Sequence, residues 1–239
     1  MHIAEGALSG SPEGLAVLAA GWAVAVTGTG IGLRRMDYER VPQVALLSAT
    51  FFVVSLIPIP VGVTSAHLVL CGLMGLILGW AAFPAVLVAL ILQSLIAGVG
   101  GPTTLGINTT VMATPAVICY GLFHRLMHVR SEAATFVVGF AAGALAVLAG
   151  AVLNAVALVT AGEGLEVFAA TAFAIHLFIA PVEGLVTAVV VVFLRKVRPE
   201  MLDAPLLVTH PRGAVPTEPE SGEMQPDRVE DSVKEQVPC

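Results

Sequence analysis

Apolar runs long enough to cross a lipid bilayer follow one another along most of this chain, and they constrain its fold more than any other feature. A spanning helix needs about 20 mostly apolar residues. The stretches near that length are 15–33, 42–60, 64–80, 82–97, 110–127, 132–160 and 164–197. Pro181 interrupts the last one, which indicates either a short helix followed by a spanning one or a single kinked helix. The sequence therefore predicts an all-α membrane protein with about seven transmembrane helices.

Composition supports this class and separates a tail from the membrane part. Of the 239 residues, 57% are hydrophobic and 12% are charged, whereas a soluble domain carries about 25% charged residues. Residues 1–198 contain equal numbers of basic and acidic side chains, so the net charge of −6 comes from the tail. We expect a transmembrane domain over 1–198 and an acidic, disordered tail over 199–239. Nothing in this charge balance indicates a nucleic acid partner.

The basic residues of the membrane part predict its orientation. Lys and Arg gather in cytoplasmic connections, and here they fall between the first and second runs, between the fifth and sixth, and after the seventh. They are Arg34, Arg35, Arg40, Arg125, Arg130, Arg195, Lys196 and Arg198. The opposite connections, 58–63, 98–109 and 161–164, contain none. The pattern predicts an amino terminus outside the cell and a cytoplasmic carboxyl terminus. We expect the protein in the cell membrane of a prokaryote.

Several classes of function are disfavoured by absent motifs. The cysteines Cys71, Cys119 and Cys239 form no CxxC pair and are too scattered for a disulfide framework. The sequence contains no HExxH, GxSG or Walker A motif, so we expect neither an intramembrane protease nor an ATP site, and no resident cofactor. Residues 1–14 carry two acidic residues and no basic one, which is unlike a signal peptide, so we expect Met1 to be retained.

The first two residues, Met1 and His2, can chelate a metal ion. A free α-amine, the next amide nitrogen and the His2 imidazole Nδ1 close a five-membered and a six-membered ring in one plane around the ion. A fourth nitrogen would complete a square-planar site, the geometry typical of Ni(II) or Cu(II). His67 is the expected fourth donor, because the predicted topology places it on the same side of the membrane, at the outer end of the third run. Thr64 and Ser65 could cap that helix or support the ligands.

Four stretches resemble the signature segments of the NikM/CbiM family: "MHIAEG", "GVTSAHLVLCGLMGLILG", "LILQSLIAGVGGPTTLGIN" and "APVEGLVTAVVVVFLRK". The likeness runs from Met1 to about residue 198, in order and with similar spacing. This family comprises the metal-binding S-components of energy-coupling-factor (ECF) importers for nickel or cobalt. The resemblance implies seven helices, an amino-terminal segment inside the bundle, and an ion held by Met1, His2 and His67.

The resemblance also implies partners: a transmembrane T-component and cytoplasmic ATPases, with a small accessory membrane subunit that some relatives carry fused. The sequence departs from the family pattern at Ala4, where proline is common, at Cys71, where asparagine is expected, and at Pro102 in the glycine-rich loop. None of these changes removes a ligand, but they leave the ligand surroundings and the choice between nickel and cobalt open.

Other polar or soft side chains are weaker candidates. Gln93, His176 and Glu183 lie within apolar runs and are expected to be buried and hydrogen-bonded, Gln93 with some prospect of supporting the metal. Helical spacing would align His67, Cys71 and Met74, which favours core packing over a metal path. His124 and His128 lie among basic residues, which favours a solvated position near lipid headgroups. The loop 98–110, with Thr103, Thr104 and Asn108, could cover the site.

The leading hypothesis is thus the capture of Ni²⁺ or Co²⁺ for uptake. Three alternatives stay open at this stage: an S-component for a vitamin, an intramembrane enzyme, and a helical sensor that acts through its tail. None of the three needs a histidine at position 2.

Overall fold

A computed structural model describes residues 2–57, 59–61, 64–128, 131–162 and 164–202 of the chain. These ranges hold seven α-helices: α1 Pro12–Arg35, α2 Val41–Ser55, α3 Cys71–Leu78, α4 Ala82–Leu92, α5 Leu105–Phe123, α6 Glu132–Thr160 and α7 Glu166–Val197. The prediction of an all-α, multi-pass membrane protein is confirmed. By length and composition, five segments are able to cross a membrane: Pro12–Arg35, Cys71–Ala97, Leu105–Met127, Glu132–Thr160 and Glu166–Val197.

The segment Cys71–Ala97 reverses direction at Gly79, although its length would allow one continuous span. Gly79 has φ +55° and ψ −123°, a conformation that favours glycine. The carbonyl of Trp80 lies against Gly32 near the end of α1, whereas His67 and Gln93, which flank α3 and α4, both contact His2. The two helices therefore run antiparallel, in agreement with two separate runs ending and beginning near residue 81. The number of membrane crossings stays a prediction.

The connection between α2 and α3 differs from the sequence prediction. The run predicted over 42–60 ends as a helix at Ser55, and a short antiparallel hairpin follows, with β1 Ile59–Val61 paired to β2 Thr64–Ala66. The run predicted over 64–80 becomes helical only at Cys71. His67 consequently lies in a non-helical segment before α3, and the prediction that places it on a helix is wrong. Val69 and Leu70, at the end of this segment, are buried, so their apolar side chains continue the hydrophobic run of α3 in the sequence.

Helices α6 and α7 form the most regular part of the bundle. Helix α6 spans 132–160, as predicted, and α7 continues through Pro181 as a single helix. Small residues allow their close approach: a Cβ added to Gly139 would lie 2.9 Å from Cα of Ala188, and one on Gly143 would lie 2.6 Å from Oγ1 of Thr187. Gly139 and Gly143 are thus points of close contact between the two helices.

Basic residues from several elements meet at one end of the bundle. The guanidinium of Arg35 lies 5.2 Å from the ring centre of Trp80, Arg195 donates to the Ser131 carbonyl at 3.3 Å, and Lys196 pairs with Glu132 at 2.9 Å. We call this end of the bundle, formed by the last turns of α1 and α7 and the first turn of α6, the basic end. Which side of the membrane it faces stays a prediction.

The described chain ends in a short turn after α7. Residues Pro199–Leu202 form a 3₁₀ helix, and Leu202 is buried against the main hydrophobic core. The rest of the predicted tail, 203–239, lies outside the described residues, so its predicted disorder is untested.

Candidate functional site

The amino-terminal segment folds back into the end of the bundle opposite the basic end. Ile3 and Leu8 are buried in a small apolar cluster with residues of α1, α5 and α6. Asn108, in the first turn of α5, binds the backbone of Ile3 on both sides: its Oδ1 accepts from the Ile3 amide at 2.8 Å and its Nδ2 donates to the Ile3 carbonyl at 3.0 Å. This reciprocal pair fixes the position of the residue that follows His2.

The loop after α4 also contacts the amino-terminal segment. The carboxylate of Glu5 accepts a hydrogen bond from the Thr103 amide at 3.2 Å, and it lies so close to Gly101 that a side chain there would clash with it. Trp22 donates from Nε1 to the Thr103 carbonyl at 3.3 Å. The loop predicted to cover the site therefore packs against residues 3–5, whereas Thr104 is buried and bonds locally to Gly101.

His2 and His67 meet directly, as predicted from the sequence. Nδ1 of His2 lies 3.1 Å from Nε2 of His67, and the two ring centres are 4.9 Å apart with their planes tilted by 39°. Met1 lies outside the described residues. Among the residues that are described, no group of three or more His, Cys, Asp or Glu side chains is arranged to hold a metal ion.

A chain of hydrogen bonds fixes the tautomer of His2. The hydroxyl of Ser55 donates to the Phe52 carbonyl at 2.6 Å. The Oγ of Ser55 is therefore an acceptor for the hydrogen bond from Nε2 of Gln93. The Gln93 amide is thereby oriented with Oε1 toward His2, whose Nε2 lies 2.8 Å away. Because a carbonyl oxygen only accepts, Nε2 of His2 carries the proton and Nδ1 is a bare lone pair.

A backbone carbonyl fixes the tautomer of His67. Its Nδ1 lies 3.0 Å from the carbonyl of Leu68 and must donate to it, which leaves Nε2 of His67 unprotonated in the neutral ring. The lone pair of Nε2 then faces the lone pair of Nδ1 of His2. Two acceptors at this distance repel each other unless a cation or a proton lies between them.

Burial disfavours a proton in that position. Burial, together with the positive charge of the amino terminus, lowers the pKa of His2 to about 3. Burial is also the main cause that lowers the pKa of His67 to about 4. Both imidazoles are therefore neutral at physiological pH, which is the state required of a metal ligand.

Glu183 positions the segment that carries His67. This carboxylate of α7 is fully buried, and it accepts hydrogen bonds from the amides of Val69 and Leu70, the latter at 2.9 and 3.0 Å. Leu70 has a left-handed conformation, with φ 52°, and precedes the first residue of α3. A buried carboxylate thus satisfies the amides of the two residues that precede α3.

Several sequence-based assignments need correction. Thr64 and Ser65 do not cap a helix, because they lie in β2 and α3 begins at Cys71. Cys71 and Met74 are buried core residues of α3, but His67 does not share their helical face.

The two histidines that follow α5 also differ from expectation in part. His124 is not solvated: it is buried, and its ring centre lies 4.7 Å from that of Tyr120. The side chain of His128 lies outside the described residues.

The buried polar residues predicted inside apolar runs have specific partners. Gln93 contacts His2, a role the sequence indicated only weakly, and it begins a π-helical turn, Gln93–Ala97, of the kind often found at functional sites. Glu183 holds the segment before α3, and His176 bonds to its own helix at the Ala172 carbonyl. Each is a lone polar side chain in an apolar run, and that signal indicates burial without naming the partner.

Comparisons with known proteins agree with the observed fold. A putative metal transport protein of Haemophilus influenzae is 40% identical over 205 residues, covering 85% of this chain and 97% of the relative. The cobalt transport protein CbiM of Sorangium cellulosum is 33% identical, covering 85% and 95%. The fused nickel transport protein NikMN of Rhodobacter capsulatus is 33% identical, and 64% of its length is covered.

Solved structures agree in the same way. The crystal structure of a transition metal transporter shares 31% identity with a TM-score of 0.64, covering 82% of this chain and 93% of that one. A truncated transition metal transporter gives a TM-score of 0.61 at 30% identity, covering 84% and 99%. The CbiM family, described as the cobalt uptake substrate-specific transmembrane region, matches residues 2–201. With that match over most of its length, this chain belongs to the CbiM family.

Proposed function

We propose that this protein is the substrate-binding membrane subunit of an ECF-type importer for Ni²⁺ or Co²⁺. The ion is held in a plane by four nitrogens: the α-amine of Met1, the amide and Nδ1 of His2, and Nε2 of His67. The protein performs no chemistry on the ion. It selects the ion by coordination geometry and presents it for uptake.

The opposed lone pairs of His2 and His67 are the observation that carries this proposal. Hydrogen bonds to Gln93 and to the Leu68 carbonyl commit the other nitrogen of each ring as a donor. The remaining nitrogens face each other at 3.1 Å, in a partly buried place where a bridging proton is disfavoured. A divalent cation bound between them converts this repulsion into two metal–nitrogen bonds.

The separation of the two nitrogens suits neighbouring positions around one ion. Metal–imidazole bonds of about 2.0–2.1 Å at a right angle place two nitrogens about 2.9 Å apart, close to the 3.1 Å observed. In the proposed plane, Nδ1 and the amide of His2 occupy adjacent corners, so His67 stands opposite the amide. The reciprocal bonds between Asn108 and Ile3 hold the His2 amide in register for this arrangement.

The energy for uptake comes from other subunits in this proposal. The sequence contains no Walker A motif, so a T-component and cytoplasmic ATPases supply it, with a small accessory membrane subunit as a further partner. The basic end then faces the cytoplasm, as Lys and Arg do in most membrane proteins, and the site faces the outside.

The decisive test blocks and then frees the amino terminus in one preparation. The protein is produced with a leader whose proteolytic removal leaves Met1 as the first residue, and Ni²⁺ and Co²⁺ are titrated before and after cleavage by calorimetry. We expect tight binding only after cleavage, with the same thermal stability of the metal-free protein in both forms. A control protein carrying the same leader and the substitution His2→Gln should fail to bind in either form.

The outcomes separate the proposed function from its rivals. Equal metal binding before and after cleavage would contradict the role of the amine. Binding of a vitamin, unaffected by cleavage, would favour the alternative S-component. The relative affinities for the two ions decide between nickel and cobalt.

A further inference from the structure

A third histidine has a buried nitrogen with no hydrogen-bond partner among the residues that the structure describes. His176 of α7 is 5% exposed. Its Nδ1 lies 2.6 Å from the Ala172 carbonyl, one turn earlier, and must donate to it, so the neutral ring has its lone pair on Nε2. Within the described part of the chain, that Nε2 has no hydrogen-bond partner. An unpaired buried acceptor costs folding free energy. We therefore expect a hydrogen-bond donor to reach this nitrogen when a ligand binds.

Helix geometry places His176 on the same side of Glu183 as His67. It precedes Glu183 by seven residues on the buried face of α7, which corresponds to about 10 Å along the helix axis. Glu183 binds the amides of Val69 and Leu70, and His67 precedes them by two or three residues of non-helical chain. Both displacements run away from the basic end, so His176 and His67 lie on the same side of Glu183, toward the site.

Electrostatics agrees with this placement. His176 is close enough to His67 for its charge to lower the pKa of the His67 imidazole. The only other histidine of the site, His2, already has both ring nitrogens engaged or facing His67. His176 is therefore the one described imidazole near the site whose lone pair is free.

We propose that His176 is a positioning residue of the metal site, whose Nε2 accepts a hydrogen bond from an N–H or O–H group bound to the ion. This inference rests on the proposed function. Two donors fit the chemistry: the α-amine of Met1, which keeps N–H groups when it coordinates the ion, and a water molecule bound above the plane. Either donor becomes stronger when the ion polarises it, so the bond forms chiefly in the loaded state.

This role makes opposite predictions for the empty and the loaded protein. In the metal-free protein, replacing an unpaired buried acceptor by an apolar side chain removes a penalty and breaks only a bond within α7. In the loaded protein, the same replacement removes an outer partner of a ligand, a loss that typically costs 10–100-fold in metal affinity. A purely structural histidine would behave in the reverse way.

The test compares His176→Leu with His176→Gln and with Thr187→Val. Glutamine keeps an acceptor oxygen. Thr187 is a matched control, because it is also buried and without a hydrogen-bond partner in the described part of the chain, and it lies on the same face of α7 eleven residues further toward the basic end. We expect His176→Leu to raise the Kd for nickel by about 10–100-fold, His176→Gln to recover most of the affinity, and Thr187→Val to leave it unchanged. The melting temperature of metal-free His176→Leu should equal or exceed that of the unmodified protein.

Cobalt distinguishes the two donors. A bound water adds a fifth ligand, which cobalt accepts more readily than planar nickel, so loss of a water contact should weaken cobalt binding more than nickel binding. Loss of an amine contact should weaken both equally. Either pattern supports the role of His176.

Three results would overturn the inference. They are an unchanged Kd in His176→Leu, a loss of binding that follows a lower melting temperature of the metal-free protein, and a glutamine variant no better than the leucine variant. If no variant folds, ¹⁵N-histidine spectra of the unmodified protein decide, because the Nε2 signal of His176 must shift to that of a hydrogen-bonded acceptor on addition of nickel. Failure of the unmodified protein to bind either ion would instead refute the proposed function itself.

Discussion

The α6–α7 pair and the site at the opposite end from the basic residues are built by different means. The pair consists of two long regular helices whose contact depends on small side chains such as Gly139 and Gly143. The site is assembled from non-helical or irregular pieces: the segment after Met1, the non-helical chain at His67, and the π-helical turn at Gln93. The pair provides stability through packing, whereas the site provides directed nitrogen atoms.

This difference teaches where stability and function should separate in experiments. Substitutions in the site should reduce metal affinity and leave the helices intact, because the site contributes few of the packing contacts. Substitutions at the α6–α7 contact should reduce stability and leave the affinity of the folded protein unchanged. Each prediction below tests one side of this division.

Replacing His67 by alanine should have the largest effect. The substitution removes the only imidazole that faces His2 among the described residues, and loss of a ligand should cost more than the 10–100-fold typical of an outer partner, about 1,000-fold or more. Calorimetric titration of nickel measures the loss, and circular dichroism should show unchanged helix content. Retention of nickel binding within tenfold, a range that an outer partner could account for, would show that the ion does not bind between the two histidines.

Acidification should weaken nickel binding with a defined slope. The pKa of His2 is lowered to about 3 and that of His67 to about 4, so both rings stay unprotonated between about pH 7 and about pH 5. Only the amine and the amide then lose protons on binding, and the Kd should rise about 100-fold for each pH unit lost. Titrations in buffers of different ionisation enthalpy should report two protons released per ion. Four released protons would mean that the imidazoles are protonated in the metal-free site, and none would exclude the amine and the amide.

On the other side of the comparison, Gly139→Ala should destabilise the protein. The new Cβ would lie 2.9 Å from the backbone of Ala188, so the helices must separate, at a cost of about 1–3 kcal/mol in unfolding free energy. Gly121→Ala is the matched control, since a Cβ there meets nothing within 4 Å, and it should be neutral or stabilising by up to about 1 kcal/mol. Thermal unfolding in detergent measures both, and the Kd for nickel should not change in either variant. A weaker Kd in Gly139→Ala would mean that the pair also shapes the site.

The same division explains what the sequence could and could not predict. Helix α6 was predictable to the residue because its apolar run is continuous and is bounded by polar residues. The end of α2 and the start of α3 were not, because the buried, non-helical residues Val69 and Leu70 are as apolar as the helix that follows them. His2 and His67 could be paired from topology and chelate chemistry. The contacts of Gln93 with His2 and of Glu183 with Leu70 join residues 91 and 113 positions apart, and no local pattern encodes such partners.

The smallest effects should come from substitutions of Gln93 and Ser55, which continue the hydrogen-bond chain from His2. They sharpen the comparison because Ser55 is the last residue of the regular helix α2. Gln93→Leu removes the acceptor that holds the proton on Nε2 of His2. Without that acceptor, the ring is free to move its proton to Nδ1, and the Kd for nickel should rise about tenfold. Ser55→Ala removes the next link, which only orients Gln93, so its effect should be smaller.

Gln93→Glu should bind at least as well as the unmodified protein, because a carboxylate is a stronger acceptor from Nε2 and makes the imidazole more electron-rich. Nickel titrations of the three variants give the ranking directly. If the serine and glutamine variants lost equal affinity, the chain would act as packing that supports the end of α2, and the site would be less distinct from the helical scaffold than the geometry indicates.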